Sequence, residues 1–186
     1  MSVSIEQVLK EHNKIVHKLL DVKSQILTAG DLIVDVLKKG NKILIAGNGG
    51  SASDAQHFSA ELTGRFLKER QSLASIALTT DTSAITAIAN DYGYKNVFLR
   101  QLSGVARPGD VFIGISTSGN SESINLPANF CKDKDIHSVG LRGRNGGEAA
   151  KIFDHSIIVP GDSTAHIQEC HILIIHIWCM MIDEVY

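Results

Sequence analysis

The sequence has few of the residues that break a chain, staple it or charge it to one side. Only three prolines occur, Pro108, Pro127 and Pro160, and each sits where an element can begin or end. No proline-rich linker therefore divides the 186 residues. Three cysteines, Cys131, Cys170 and Cys179, form no CxxC pair and cannot all pair internally. That excludes a disulfide scaffold and predicts reduced thiols in a cytoplasmic protein. Excess charge of one sign is also missing: 18 Lys and Arg stand against 20 Asp and Glu, with no polybasic run. A net charge of -2 argues against a nucleic-acid partner. The N-terminal stretch MSVSIEQVLKEHNK has no apolar signal core. The longest apolar run, Ile172 to Ile182, is interrupted by His176 and falls short of the roughly 20 residues a bilayer span needs, so no membrane contact is predicted.

What remains is ordinary globular material, 44% hydrophobic and 20% charged, of about one domain's length. A single unit over 1–186 is expected: a helical arm (1–38), an α/β core (39–164) and a C-terminal helix (165–186). Apolar residues from Ile5 through Val8, Leu9, Ile15, Val16, Leu19, Leu20, Ile26 and Leu27 follow the three-four spacing of an amphipathic helix. A second helical stretch, Leu32 to Leu37, follows Gly30. The period then changes. Lys42–Ala46, Ser75–Leu78, Val111–Ile115, Ser138–Leu141 and Ser156–Val159 read as strands, with helices from Ser53 to about Leu67, from Thr82 to Ala89 and from Ser121. Strands alternating with helices predict a doubly wound α/β fold, a parallel sheet with helices on both faces. The final segment, Ala165 to Tyr186, is apolar in nearly every direction around a helix. A domain this small cannot easily surround it, which predicts an oligomer interface.

Two loops suit an anion. Gly47-Asn48-Gly49-Gly50-Ser51 follows the first strong strand, where glycines let backbone N–H groups approach a phosphate at a helix N-terminus. A tight turn with a Ser51/Asp54 cap fits the same residues. The second strong strand runs into Ser116-Thr117-Ser118-Gly119-Asn120-Ser121, whose hydroxyls suit three phosphate oxygens, although a Ser-rich turn with a cap is the plainer alternative. Both loops belong at the carboxyl edge of the sheet, where open α/β sheets bind ligands. Neither GxGxxG nor GxxxxGK[ST] occurs, which disfavours dinucleotides and nucleoside triphosphates. His57 and Glu61, at i and i+4, share a helix face and can hold a divalent metal or act as acid and base, or form an ordinary surface pair. Asn90 and Asp91 sit at a helix end. Gln168, His171 and His176 lie on the terminal helix, where His176 needs a partner among its apolar neighbours.

The stretches Gly47–Ser51, Asp54–Phe58, Glu61–Arg65, Asn90–Tyr94, Gly114–Ser121 and Ile167–His171 together resemble the bacterial phosphoheptose isomerases, also called sedoheptulose 7-phosphate isomerases, of the sugar-isomerase (SIS) domain superfamily. The resemblance runs in order along nearly the whole chain. It implies an SIS-type fold and a cytoplasmic homotetramer with active sites at subunit interfaces. The implied reaction is an aldose–ketose isomerisation of D-sedoheptulose 7-phosphate to D-glycero-D-manno-heptose 7-phosphate through an enediol, the first step toward nucleotide-activated heptose. Substrate contacts would fall on Asn48, Gly49, Gly50, Glu61, Asn90, Asp91, Ser116, Thr117, Ser118, Ser121 and Gln168. One zinc ion per subunit would fall on His57, Glu61, Gln168 and His176. Acid–base work would fall on Glu61 and His176, assisted by Asp91; Arg65 is a further candidate near the phosphate. A non-catalytic tetramer of the same fold that binds a replication initiator, and a sugar-phosphate-sensing module, are the rival readings. Neither needs His57, Glu61, Gln168 and His176 together. Gln168 and His176 are eight residues apart, about 12 Å of helix rise, so the site is expected to straddle two subunits or to use one of them at a time.

Overall fold

A computed structural model describes residues 3–186, the side chain of Ala149 excepted. Five strands, β1 (Ile43–Gly47), β2 (Ser75–Ala77), β3 (Val111–Ser116), β4 (His137–Gly143) and β5 (His155–Val159), form one parallel sheet in the order β2-β1-β3-β4-β5. Around it lie α1 (Ile5–Lys18), α2 (Lys23–Lys38), α3 (Gly50–Thr63), α4 (Thr82–Tyr92), α5 (Val97–Val105), α6 (Glu122–Lys132) and α7 (Thr164–Asp183). Alternation along the strands divides the core in two. Ile43, Ile45, Ile113, Val139 and Leu141 pack with α2, α3 and α7, whereas Leu44, Phe112 and Phe153 pack with Phe98, Leu102 and Ile124 of α5 and α6. The doubly wound architecture is as the alternating pattern predicts.

Several elements differ in detail. The first periodic run is broken by a 3₁₀ turn at Leu19–Val22, and α2 passes through Gly30 without a break. The missing side chain at Gly30 admits α7: an added Cβ would meet Met181 Sδ at 2.5 Å and Trp178 Cδ1 at 3.0 Å. Helix α3 stops at Thr63 rather than Leu67, because Gly64 leaves the helical region at ψ −115. Pro127 lies inside α6, not at an end. Helix α5 has no counterpart among the predicted elements, being nine residues long and directly behind the Tyr92-Gly93-Tyr94 turn.

Helix α7 is 20 residues long, and its length and mean hydropathy of 1.3 over an 18-residue window would suffice to cross a membrane. Half of that window is instead buried by the rest of the chain. Ile174, Ile175, Trp178 and Ile182 are enclosed, and Trp178 Nε1 donates to the Ile26 carbonyl at 2.9 Å. The chain thus covers more of this helix than its composition predicts. Ile172, Leu173 and Ile177 remain half-buried and Met180 exposed. No residue of α1 is buried, and Ile5, Val8 and Leu9 face solvent.

Candidate active site

The parallel sheet sends β1 and β3 side by side to one edge, with Gly47 opposite Ile115. Their loops touch: Asn48 Nδ2 donates to Ser123 Oγ at 3.0 Å, in the first turn of α6. Ser116 and Ser121 hydroxyls lie 3.1 Å apart, and Ser116 Oγ also accepts from the Gly119 N–H. Ser118 Oγ accepts from the Asn120 N–H. Gly49 and Gly119 adopt φ of +56 and +69, the region that favours glycine. Neither Gly49 before α3 nor Ser121 before α6 supplies a side-chain cap. Two uncapped helix N-termini beside a group of hydroxyls make a concentrated donor set for a dianion.

An alanine at Gly119 would force the positive φ and drive its Cβ into the Gly146 carbonyl. Gly119→Ala is therefore expected to weaken sugar-phosphate binding at least tenfold, with about 1–3 kcal/mol of stability lost to overpacking. Phosphate titration beside a urea melt checks both.

Gln168, in the second turn of α7, sits against this edge, with its Nε2 2.6 Å from where a Gly50 Cβ would stand. Asn90 and Asp91 lie exposed at the end of α4, Asn90 Nδ2 donating to Asp91 Oδ1 at 2.8 Å. Tyr94, a residue the sequence does not single out for the site, brings this corner to the loop by donating from its hydroxyl to Asn48 Oδ1 at 2.8 Å.

A second group forms lower on α3. Glu61 Oε1 lies 3.0 Å from His57 Nε2, and His176 Nε2 lies 3.3 Å from the same His57 nitrogen. Phe66 stacks on the His176 ring at a centroid distance of 5.5 Å. The i, i+4 pair thus acquires its third member across the α3–α7 packing. Burial draws the His176 imidazole below its usual range, the His57 charge adds to this, and Glu61 opposes it. The neutral ring is therefore favoured over the imidazolium. Two imidazoles and a carboxylate are donor types that suit zinc, with His57 Nε2 the atom that touches both of the others. Gln168 is not with them: it lies at Gly50, about 10 Å of helix rise from His57. Arg65 is exposed and, among the described residues, its ion-pair partner is Glu69, at 3.6 Å.

Burial pushes the Asp54 carboxyl, one turn before His57, up to about 6, with His57 opposing. A carboxyl raised in the folded state favours folding while it is protonated. That advantage is lost as pH rises from the ordinary carboxylate range through about 6. Asp54→Asn should therefore stabilise the protein at pH 8 but not at pH 4, by roughly 1 kcal/mol after allowance for solvent screening. Melting curves at the two pH values test this.

Two buried features were not legible in the motifs. Arg142, opposite Ser116 in the β3–β4 register, is fully enclosed; its guanidinium lies 4.0 Å from the Phe153 ring centroid, and Nη1 donates to the Gly114 carbonyl. Burial draws it down to about 9, which still leaves a cation at neutral pH in the strand beside the hydroxyl loop. Arg70 donates to the Glu61 and Leu62 carbonyls at 2.7 and 2.9 Å and to Asp183 at 3.1 Å, fixing the end of α3. His171 donates from Nε2 to the Arg142 carbonyl, and burial draws its imidazole down to about 4, so its role is structural.

Comparison with known proteins follows the same lines. An SIS-domain family model matches residues 8–143. A phosphoheptose isomerase of Campylobacter jejuni is 53% identical over 180 residues, 97% of this chain and 97% of the relative. Among solved structures, a phosphoheptose isomerase of Neisseria gonorrhoeae is 42% identical with a TM-score of 0.86, covering 96% of this chain and 98% of that one. One from Francisella tularensis is 33% identical with a TM-score of 0.89, covering 98% and 100%.

Proposed function

Because this chain belongs to the phosphoheptose isomerase family of SIS-domain proteins and is a sugar-phosphate isomerase, we propose that it converts D-sedoheptulose 7-phosphate to D-glycero-D-manno-heptose 7-phosphate. The reaction would be the first committed to nucleotide-activated heptose, in the cytoplasm. The observation that carries the mechanism is the gathering of Glu61 and His176 about His57, at 3.0 and 3.3 Å. It gives a carboxylate and a neutral imidazole within reach of one small molecule.

The phosphate of the open-chain ketose binds Ser116, Thr117, Ser118 and Ser121, with the backbone of Asn48, Gly49 and Gly50 at its side. Glu61 takes a proton from C1, the C2 carbonyl oxygen gains one, and a cis-enediol results. Return of the proton to C2, with loss of the O1 proton, completes the aldose. His176 exchanges the oxygen-bound protons, its neutral ring serving first as the acceptor. Asn90 and Asp91 orient hydroxyls and assist ring opening. His57, Glu61 and His176 would hold a zinc ion, which when bound would supply Lewis-acid chemistry for the substrate oxygens. One ion per subunit is expected.

Geometry favours a site shared between subunits. Gly50 and Glu61 are separated by about 16 Å of α3, longer than the extended seven-carbon chain that joins the phosphate to C1. A second copy docking on the α3–α7 face, where His57 is 44% exposed, brings the acid of one chain to the hydroxyl loop of another. Gln168 would join the zinc ligands by the same docking. The exposed apolar residues of α1 and Met180 provide surface for a homotetramer. Incubating the purified protein with sedoheptulose 7-phosphate, with and without chelator, is the test. Aldose should form and fall at least tenfold on chelation; a pure, folded tetramer that makes none would remove the assignment.

A further inference from the structure

Away from that site, three ligand atoms converge between α1 and the start of α7. His12, His166 and Glu169 each place one donor atom within 4.8 Å of the other two. His12 Nδ1 and His166 Nδ1 both approach a single oxygen, Glu169 Oε2, at 2.7 and 3.0 Å. Only the second contact is an aligned hydrogen bond. His12 Nδ1 is buried and has no hydrogen-bond partner, although a carboxylate oxygen is next to it. Misaligned with Glu169, that nitrogen has no hydrogen bond to lose on turning toward a cation. His166 is itself buried, and its other nitrogen, Nε2, lies 3.9 Å from Glu11 Oε2. Glu11 is not hydrogen-bonded to that nitrogen at this distance, but it stands on the side where a carboxylate usually supports a metal-bound histidine.

We propose that His12, His166 and Glu169 form a second zinc site, which clips the N-terminal helix to the C-terminal one. Two imidazoles and one carboxylate match zinc and other borderline divalent ions, not the all-oxygen shells of calcium or magnesium. Tetrahedral ligands at zinc bond lengths stand about 3.3–3.6 Å apart. Water is the fourth ligand, entering from a cleft of about 300 Å³ lined by Glu11, Lys14, Pro160, Asp162 and His166. The clip would reinforce a helix that buries none of its residues completely and rests on the core through the half-buried Ile15 and Val16. Glu169 also follows Gln168 directly, so metal at this point fixes the turn that carries a substrate-binding candidate.

The site is independent of the His57 group, and the experiment separates them. Metal-stripped full-length protein is dialysed against zinc, and bound metal is counted per chain for His57→Ala/His176→Ala, for His12→Ala/His166→Ala and for the combination of all four changes. The His57/His176 variant should keep one ion, which the fourfold variant loses. Amide exchange in α1 of the His57/His176 variant should slow at least tenfold on adding zinc. Cobalt in that variant should give the visible absorption of a four-coordinate ion. A His57/His176 variant that folds, by circular dichroism, yet binds no zinc overturns the proposal. So does one ion retained after all four changes. Should the alanine pair at 12 and 166 fail to fold, His12→Gln alone serves, with a loss of zinc affinity of at least tenfold expected and unchanged affinity counting against the site.

Discussion

Replacing Glu61 with glutamine is expected to lower kcat by about 10²–10⁴-fold, the usual contribution of a positioned base, while leaving phosphate affinity and the melting temperature nearly unchanged. The carboxylate makes one polar side-chain contact, Oε1 to His57 Nε2 at 3.0 Å, and an amide can occupy the same place. The main-chain role of this residue is separate: its carbonyl accepts from Arg70 and is untouched by the substitution. Glutamine therefore removes a proton acceptor without removing a structural part. Gly50, at the phosphate-binding edge, is about 16 Å from Glu61 along α3 in the same chain, so inorganic phosphate should titrate as before. Zinc content decides between two ways in which activity can fall. If Glu61 acts as base, the variant keeps most of its metal and loses the exchange of the C1 proton with solvent. If it serves chiefly as a ligand, zinc is lost together with activity, and added zinc restores part of both. Retention of more than a tenth of the parent kcat would take Glu61 out of the base role altogether.

How far this site could be read from the chain depends on how far apart its parts lie in sequence. The strands Lys42–Ala46 and Val111–Ile115 announce themselves because a strand buried on both faces is a short unbroken apolar run, and the structure has β1 and β3 there. The His57/Glu61 pair is legible for a similar reason: helical geometry alone makes residues i and i+4 neighbours. Apart from the resemblance, which assigns it as a ligand and acid–base group, the residue pattern marks His176 only as a polar residue in an apolar helix. Its meeting with His57, 119 residues earlier, is a product of α3 packing on α7, which no local pattern encodes. Tyr94 to Asn48 and Arg70 to Asp183 are contacts of the same kind, across 46 and 113 residues. Arg142 was hidden differently. A lone cation in a strand reads as a surface residue, and its burial under Phe153 depends on glycines at 114 and 140 leaving room on that face. Helix α5 escaped because nine residues give too few turns for a period to stand out.

Loss of the Arg70 side chain should be the most damaging single change to stability, at about 3–5 kcal/mol for Arg70→Ala, the cost of leaving a buried charge without its partner. Arg70 and Asp183 side chains are only 2% and 4% exposed. Asp183 accepts from the Leu67 and Lys68 N–H groups as well as from Arg70, which in turn binds the last carbonyls of α3. One ion pair thus ties the loop after α3 to the end of α7. Burial by itself would raise the Asp183 carboxyl, but the N–H groups of Lys68 and Leu67 and the Arg70 guanidinium outweigh it and hold the group below its ordinary range. A carboxyl lowered in the folded state stabilises fully above its unfolded value, near 4, and that contribution fades as pH falls toward the folded value. The parent should therefore lose stability on acidification below about pH 4, and Arg70→Ala should flatten that part of the curve. Arg70→Met with Asp183→Leu, removing both charges, should recover much of the loss. Where Arg70→Ala still folds, in the cold, kcat should fall and phosphate affinity hold, because the turn that loosens carries Glu61 and not the hydroxyl loop. Urea melts across pH 3–8 read the first effect, and a kinetic titration at low temperature the second. A stability loss under 1 kcal/mol would mean that the backbone N–H groups alone suffice for Asp183, and Glu61 would then owe its position to the α3–α7 packing rather than to this pair.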